Sequence, residues 1–172
     1  MTSRKVEYFW GILRIFLGII FLWAFVDKLI GLGYATCNTE EGIQVLCEKA
    51  WISGGSPTYG FLKFATKGPF ALYFQSLAGN PLVDSLFMLG LLGVGLALIL
   101  GVFTRIASVS GALMLFLMWL AVLPPQNNPL LDDHIIYLIL MIGFIIVRAG
   151  RYLGLGNWWH KTSLVKKHPW LE

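Results

Sequence analysis

The sequence predicts an all-α membrane protein, a four-helix transmembrane bundle with short interfacial helices in a large outer loop between helices 1 and 2. Three observations predict it. Of 172 residues, 57% are hydrophobic and only 13% charged, whereas a soluble domain of this length is roughly half apolar and about a quarter charged. The apolar residues gather in four runs, at 8–32, 81–103, 106–123 and 130–147, near the ~20 residues a helix needs to cross about 30 Å of hydrocarbon. Finally, the basic residues between and beyond these runs are unevenly shared between the two sides.

The first run is interrupted by Arg14, Asp27 and Lys28. It is too long for the apolar core of a signal peptide and ends without a small-residue cleavage site, so it reads as a retained helix. Arg14 lies about two turns in, where it either snorkels to the near interface or faces the bundle. The outer loop, 33–79, follows. Its first half is polar and closes on Ser53-Gly54-Gly55-Ser56-Pro57, a turn-rich stretch. Its second half sets Phe61, Leu62, Phe64 and Ala65 against Lys63 and Lys67, breaks at Gly68-Pro69, and resumes with Phe70, Leu72, Tyr73 and Phe74. This predicts two short helices in the outer interface, as a covering lid or as a lateral entrance for a lipid-soluble molecule.

The second and fourth runs open on one phrase, Asn80-Pro81-Leu82-Val83-Asp84 and Asn128-Pro129-Leu130-Leu131-Asp132. Asn as N-cap, Pro at the first helical position and Asp in the first turn predict a helix start at each. Gly93, Ala97 and Gly101 on the second run, and Ala107 and Gly111 on the third, recur every four residues and predict close helix packing. The third run ends at Trp119 and Pro124-Pro125, an interfacial stop.

Orientation follows from charge. Arg4, Lys5, Arg105, Arg148, Arg151, Lys161, Lys166 and Lys167 fall on one side of a chain that crosses four times. The other side has Lys49, Lys63 and Lys67, with Glu40, Glu41, Glu48, Asp84, Asp132 and Asp133. The Lys/Arg bias places both termini and the 148–172 tail in the cytoplasm of a multi-pass plasma-membrane protein. The chain reads as a single membrane domain over 1–172, its first partner the lipid bilayer. The formal charge of +4 therefore argues for membrane topology rather than for nucleic acid. Cys37 and Cys47 lie outside, where a disulfide suits an oxidising compartment; a redox-active dithiol is the alternative, less suited to so wide a spacing than to C-x-x-C. No metal-ligand spacing occurs, and no flavin motif, haem ligand pair or iron–sulfur cysteine set is visible.

The ionisable residues near the outer face carry the candidate chemistry. Asp133, His134 and Tyr137 lie within one turn and can share a face, giving a carboxylate, an imidazole and a phenol able to exchange protons with a quinone headgroup. The structural alternative is that both aspartates serve the helix dipole and His134 is an interfacial polar residue. Asp27 and Arg14 complete the candidate catalytic set. A pocket gathering Arg14, Asp27, Asp133, His134 and Tyr137 is the arrangement expected of an enzyme; a solid apolar core is expected of a scaffold.

Several stretches carry a family resemblance: RIFLGIIFLWAFVDKLIG from Arg14, PTYGFLKFATKGPF from Pro57, SLAGNPLVD from Ser76, NPLLDDHIIY from Asn128 and AGRYLGLGNWW from Ala149. Together they span nearly the whole chain. In their order and spacing the chain resembles the DoxX/DoxD family of small four-helix membrane proteins, most closely the DoxD-type subunits of thiosulfate:quinone oxidoreductase. The resemblance implies a membrane subunit that helps oxidise thiosulfate to tetrathionate, with quinone as electron acceptor and a DoxA-like second subunit as partner. A homo-oligomer is a further assembly compatible with it. On that reading the thiosulfate dianion is handled by Lys28, Lys63 and Lys67 at the outer face, and quinone enters past Phe61, Phe64, Tyr73, Phe74 or Trp119. The alternatives are a non-enzymatic DoxX-like scaffold or anchor for a redox partner and, less suited to spans without polar residues at their centres, a small-molecule transporter.

Overall fold

The computed structural model describes residues 2–39 and 42–172. Four long helices dominate it: α1 (Thr2–Ile30), α3 (Pro81–Leu100), α4 (Thr104–Ala121) and α5 (Asp133–Ile146), with a short α2 (Ala71–Ser76) between the first two. Two small helices, α6 (Gly156–Trp159) and α7 (Ser163–Lys167), follow. A two-residue antiparallel pairing, Asn38–Thr39 (β1) with Gly42–Ile43 (β2), is a small addition to an otherwise helical chain. Glu40 and Glu41 of the acidic set lie outside the described residues.

The helices α1, α3 and α4 are long and apolar enough to cross a membrane. With 14 residues, α5 is equally apolar but about 21 Å long at the α-helical rise. In space α1 lies against α3, α3 against α4 and α4 against α5. Leu17, Phe21, Met88, Leu91, Val94, Leu98, Leu115, Met141 and Phe144 fill a single apolar core between them. Two ends result. The loop end gathers the C-termini of α1 and α4, residues 31–39 and 42–80, and the starts of α3 and α5; the tail end gathers the other termini and residues 148–172.

Closest approach between helices does not follow the predicted stripe. Gly93 faces open space. Gly18 and Gly95 meet instead, so that a Cβ on Gly95 would come within 2.8 Å of the Leu22 nitrogen and 3.1 Å of the Gly18 oxygen. Gly11, Arg14, Gly18 and Phe21 are buried along one α1 face, spaced three and four apart as a buried stripe must be. Gly111 does pack closely, against Met141 and Val94.

The repeated Asn-Pro phrase also has two outcomes. Asn80 caps α3 through the Leu82 N–H at 2.9 Å, with Pro81 at the first position. Asn128 accepts the same kind of bonds from Leu130 and Leu131, at 2.9 and 3.0 Å, but no helix follows. The α5 helix starts later, with Asp132 as N-cap to His134 at 3.1 Å and Ile135 at 3.4 Å. A strong cap placed four residues on competes with the first and sets the boundary.

At the loop end, 58–77 holds a five-residue π-helical turn (Phe61–Ala65), a 3-10 turn (Gly68–Phe70) and α2. Leu62 and Phe74 bury against Ala121, with Phe61, Leu77 and Val83 around them. The Lys67 N–H donates to the Ala121 carbonyl at 2.9 Å, tying this lid to the end of α4. At the tail end, Leu155 N–H bonds the Leu100 carbonyl at 2.8 Å, Trp159 donates its indole N–H to Leu171 O at 2.9 Å, and Phe103 packs against Trp159 with the rings tilted by 52°. Thus 148–172, expected as a cytoplasmic tail, folds back on the bundle.

Candidate functional site

Each predicted site residue has a definite place, and they divide between the two ends. Arg14 is fully buried at the tail end. Its guanidinium donates to the Leu98 carbonyl, to Tyr152 O at 3.0 Å and to Leu153 O at 2.8 Å. Leu98 belongs to the last turn of α3, whose carbonyls lack helical donors and carry the negative end of the helix dipole. Gly101, at φ +80°, ends that helix and leaves room for Arg14; a Cβ there would stand 3.0 Å from the guanidinium. Arg14 therefore joins the end of α3 to the chain after α5 and faces the bundle rather than snorkelling.

Asp27 is also fully buried, at the other end of α1. About 1.5 Å of rise per residue separates it from Arg14 by roughly 20 Å. A rigid helix and a packed core lie between them, so no single pocket gathers both, and of the two arrangements weighed in the sequence the packed core is the one found between these residues. Asp27 accepts from the backbone N–H of Tyr34 at 3.1 Å and of Ala35 at 3.0 Å, which turns the chain away from α1. Its buried charge is met by backbone donors, not by a side chain on another helix. Lys28, beside it, is half-buried, and Lys63 and Lys67 are exposed on the lid.

Just beyond Asp27, Cys37 and Cys47 form a disulfide with Cα atoms 5.8 Å apart. Gly31 lies directly against it: at φ +69°, it has no room for a Cβ beside the Cys37 sulfur. The pair clamps the polar half of the loop against the end of α1, where Leu46 N–H also bonds the Ile30 carbonyl at 2.9 Å.

Asp84 anchors the loop from the other side. Buried in the first turn of α3, it accepts from Ser56 Oγ at 2.9 Å, Thr58 Oγ1 at 2.5 Å and Thr58 N–H at 3.3 Å. The sequence pattern marks Asp84 as a helix-dipole residue; its role in holding the lid was missed, because the loop partner is set by tertiary contact.

The remaining predicted residues open α5. Asp133 is exposed, whereas Asp132, the N-cap, binds the His134 imidazole, Nδ1 to Oδ2 at 2.7 Å. With Nδ1 against the carboxylate, Nε2 is the ring nitrogen left as the position for proton exchange. Tyr137 is half-buried and packs on the main core. Trp119 donates its indole N–H to Leu130 O at 2.9 Å, fixing the chain that leads into Asp132. The carboxylate paired with the imidazole is thus Asp132, where the sequence reading singled out Asp133. The spacing of an N-cap Asp two residues before a His was the available signal.

At the loop end an oriented carboxylate–imidazole pair opens α5, Asp84 holds the start of the aromatic lid, and Asp27 and the disulfide hold the chain that leaves α1. The pair is suited to hold and pass a single proton. No protein-family model, curated protein or solved structure matches this chain.

Proposed function

We propose that the chain is a four-span membrane subunit of a quinone-reducing oxidoreductase, its loop end outside and its tail end in the cytoplasm. The overall reaction is thiosulfate oxidation. Two thiosulfate ions lose two electrons and join through a new S–S bond as tetrathionate; the quinone takes up those electrons and two protons. The observation that carries this reading is the Asp132–His134 pair, a proton donor and acceptor held by a cap and by Trp119 at the end where the bundle would meet the outer interface.

In this reading α5 completes its crossing with help from the flanking turns, since its own length is short of the ~30 Å hydrocarbon layer. His134 delivers one proton to the quinone oxygen through Nε2 and is recharged from water, while Asp132 holds the imidazole's orientation. Lys28, Lys63 and Lys67 supply positive charge for the dianion. The electron path between sulfur and quinone is assigned to the second, DoxA-like subunit, because the two cysteines are tied in the loop clamp. The resemblance to DoxX/DoxD proteins supports the substrate pair.

The test is thiosulfate-dependent reduction of a soluble quinone analogue by the purified protein with its partner subunit. Activity that falls about a hundredfold or more in His134→Gln, the scale of a lost general acid, supports the reading; no thiosulfate-dependent reduction by the complete assembly overturns it. A second reading is a non-enzymatic anchor for a redox partner. It is favoured by the fact that Arg14 and Asp27 hydrogen-bond to backbone groups, and it is identified by full activity of the assembly in His134→Gln.

A further inference from the structure

The tail end contains a cavity of about 300 Å³ between the end of α5, the start of α4 and the folded-back tail. Arg105 and Arg148 line it, with Phe144, Ile146 and Pro169 as its apolar walls and Glu172 at one side. Both arginine side chains are exposed. Glu172 is already engaged: Arg151 binds it through two nitrogens, one of them at 3.1 Å from Oε2, and His160 stands 3.5 Å away. Among the described residues, no carboxylate forms an ion pair with Arg105 or Arg148. Two arginines therefore line one small cavity whose carboxylate, Glu172, is hydrogen-bonded to Arg151 instead, and guanidinium groups bind phosphate oxygens pairwise and directionally.

The apolar side of the cavity continues outward. Ile146 is 74% exposed, and Ile139 and Ile142 are exposed above it at spacings of three and four, so they form one stripe along α5. A ligand that fills the cavity and follows this stripe has an anionic phosphate at one end and a hydrocarbon chain at the other. We infer that Arg105 and Arg148 form a binding site for an anionic phospholipid, its phosphate between the two guanidinium groups and an acyl chain along Ile146, Ile142 and Ile139. This rests on the membrane reading above, though not on the redox activity. It also gives a use to the short α5: a lipid headgroup drawn down to Arg148 closes the gap between the end of the helix and the interface.

The experiment is lipid retention, measured by native mass spectrometry on protein released from nanodiscs of neutral phosphatidylcholine doped with phosphatidylglycerol. Alkaline carbonate extraction of the starting membranes is run beside it. The wild-type chain is expected to resist extraction and retain phosphatidylglycerol over phosphatidylcholine. The double variant Arg105→Gln/Arg148→Gln should lose about thirtyfold in that preference, the scale for two basic groups at a charged membrane surface. A triple variant, Lys161→Gln/Lys166→Gln/Lys167→Gln, should keep it, which separates the cavity from general tail charge. Arg105→Glu, with an exposed side chain at the site, is the second variant and should abolish the preference while leaving the thermal melt unchanged. Equal retention of both lipids, equal loss in the triple variant, or displacement of the lipid by millimolar inorganic phosphate overturns the inference. Extraction by carbonate overturns it together with the membrane reading, whereas quinone reduction is not required for any of these outcomes.

Discussion

Arg14 is a full positive charge in the interior of the bundle, and its guanidinium donates to backbone carbonyls. Hydrogen bonds to a charged group contribute about 1.5–3 kcal/mol each, and the α3 carbonyl would otherwise remain buried without a donor. Arg14→Met is therefore expected to lower thermal stability in detergent by several kcal/mol, about 3–5 on the scale of a broken buried polar network. Arg14→Lys should recover only part, because one ammonium does not reproduce the fork. A loss of activity at unchanged melting temperature would contradict this structural role. In the sequence Arg14 and Asp27 stand out equally as charges in an apolar run, and that much was legible. Their partners were not, because backbone groups leave no mark in a sequence. At Asp132 the difficulty was different: two adjacent aspartates look alike until the cap is located, and the cap was read one phrase too early, at Asn128.

At the scale of elements, the α1–α3 contact rests on Gly18 and Gly95. Gly95→Leu is expected to force the two helices apart and unfold the bundle at markedly lower temperature, while Gly93→Leu, which faces open space, should melt within about 0.5 kcal/mol of the parent. Circular dichroism melts of the pair distinguish them. The every-four stripe on the second run misled because it counts small residues on one helix alone, and the true contact needs the facing helix, where Gly11 and Gly18 already share a stripe with Arg14. The tail yields a pH prediction. Burial pushes the Glu172 carboxyl up, but the Arg151 hydrogen bond and the charges of Arg151, His160 and Arg148 outweigh it, so its pKa lies below the usual 4.5. A depressed acid stabilises the fold above that usual value and ceases to do so as pH falls through the lower, folded one. Hydrogen exchange in 163–171, corrected for intrinsic rate, should therefore accelerate below about pH 4.5; Arg151→Gln should reproduce the effect at pH 7. Equal protection at pH 7 and pH 3 would contradict the tail's attachment through this pair.

For the molecule as a whole, the helical class and the apolar spans followed directly from composition and run length. The three longer helices match their runs closely. The shorter α5 and the folded-back tail did not follow, since both depend on competition between caps and on contacts such as Leu155 with Leu100. The whole arrangement puts the buried Arg14 and the Asp132–His134 pair at opposite ends of one apolar core. Its loop end is also where reduction should act. The loop-entropy estimate for a disulfide over so short a separation is roughly 3 kcal/mol, so Cys37→Ser/Cys47→Ser should leave the bundle folded yet expose 31–57 to protease. The most direct measurement compares quinone reduction by Asp132→Asn and Asp133→Asn in the assembled complex. Asparagine keeps the N-cap of α5 and removes only the charged partner of His134, so Asp132→Asn is expected to lose roughly tenfold or more of the rate with an unchanged melt, and Asp133→Asn to match the wild type. Equal rates in all three would contradict a proton-transfer role for the Asp132–His134 pair.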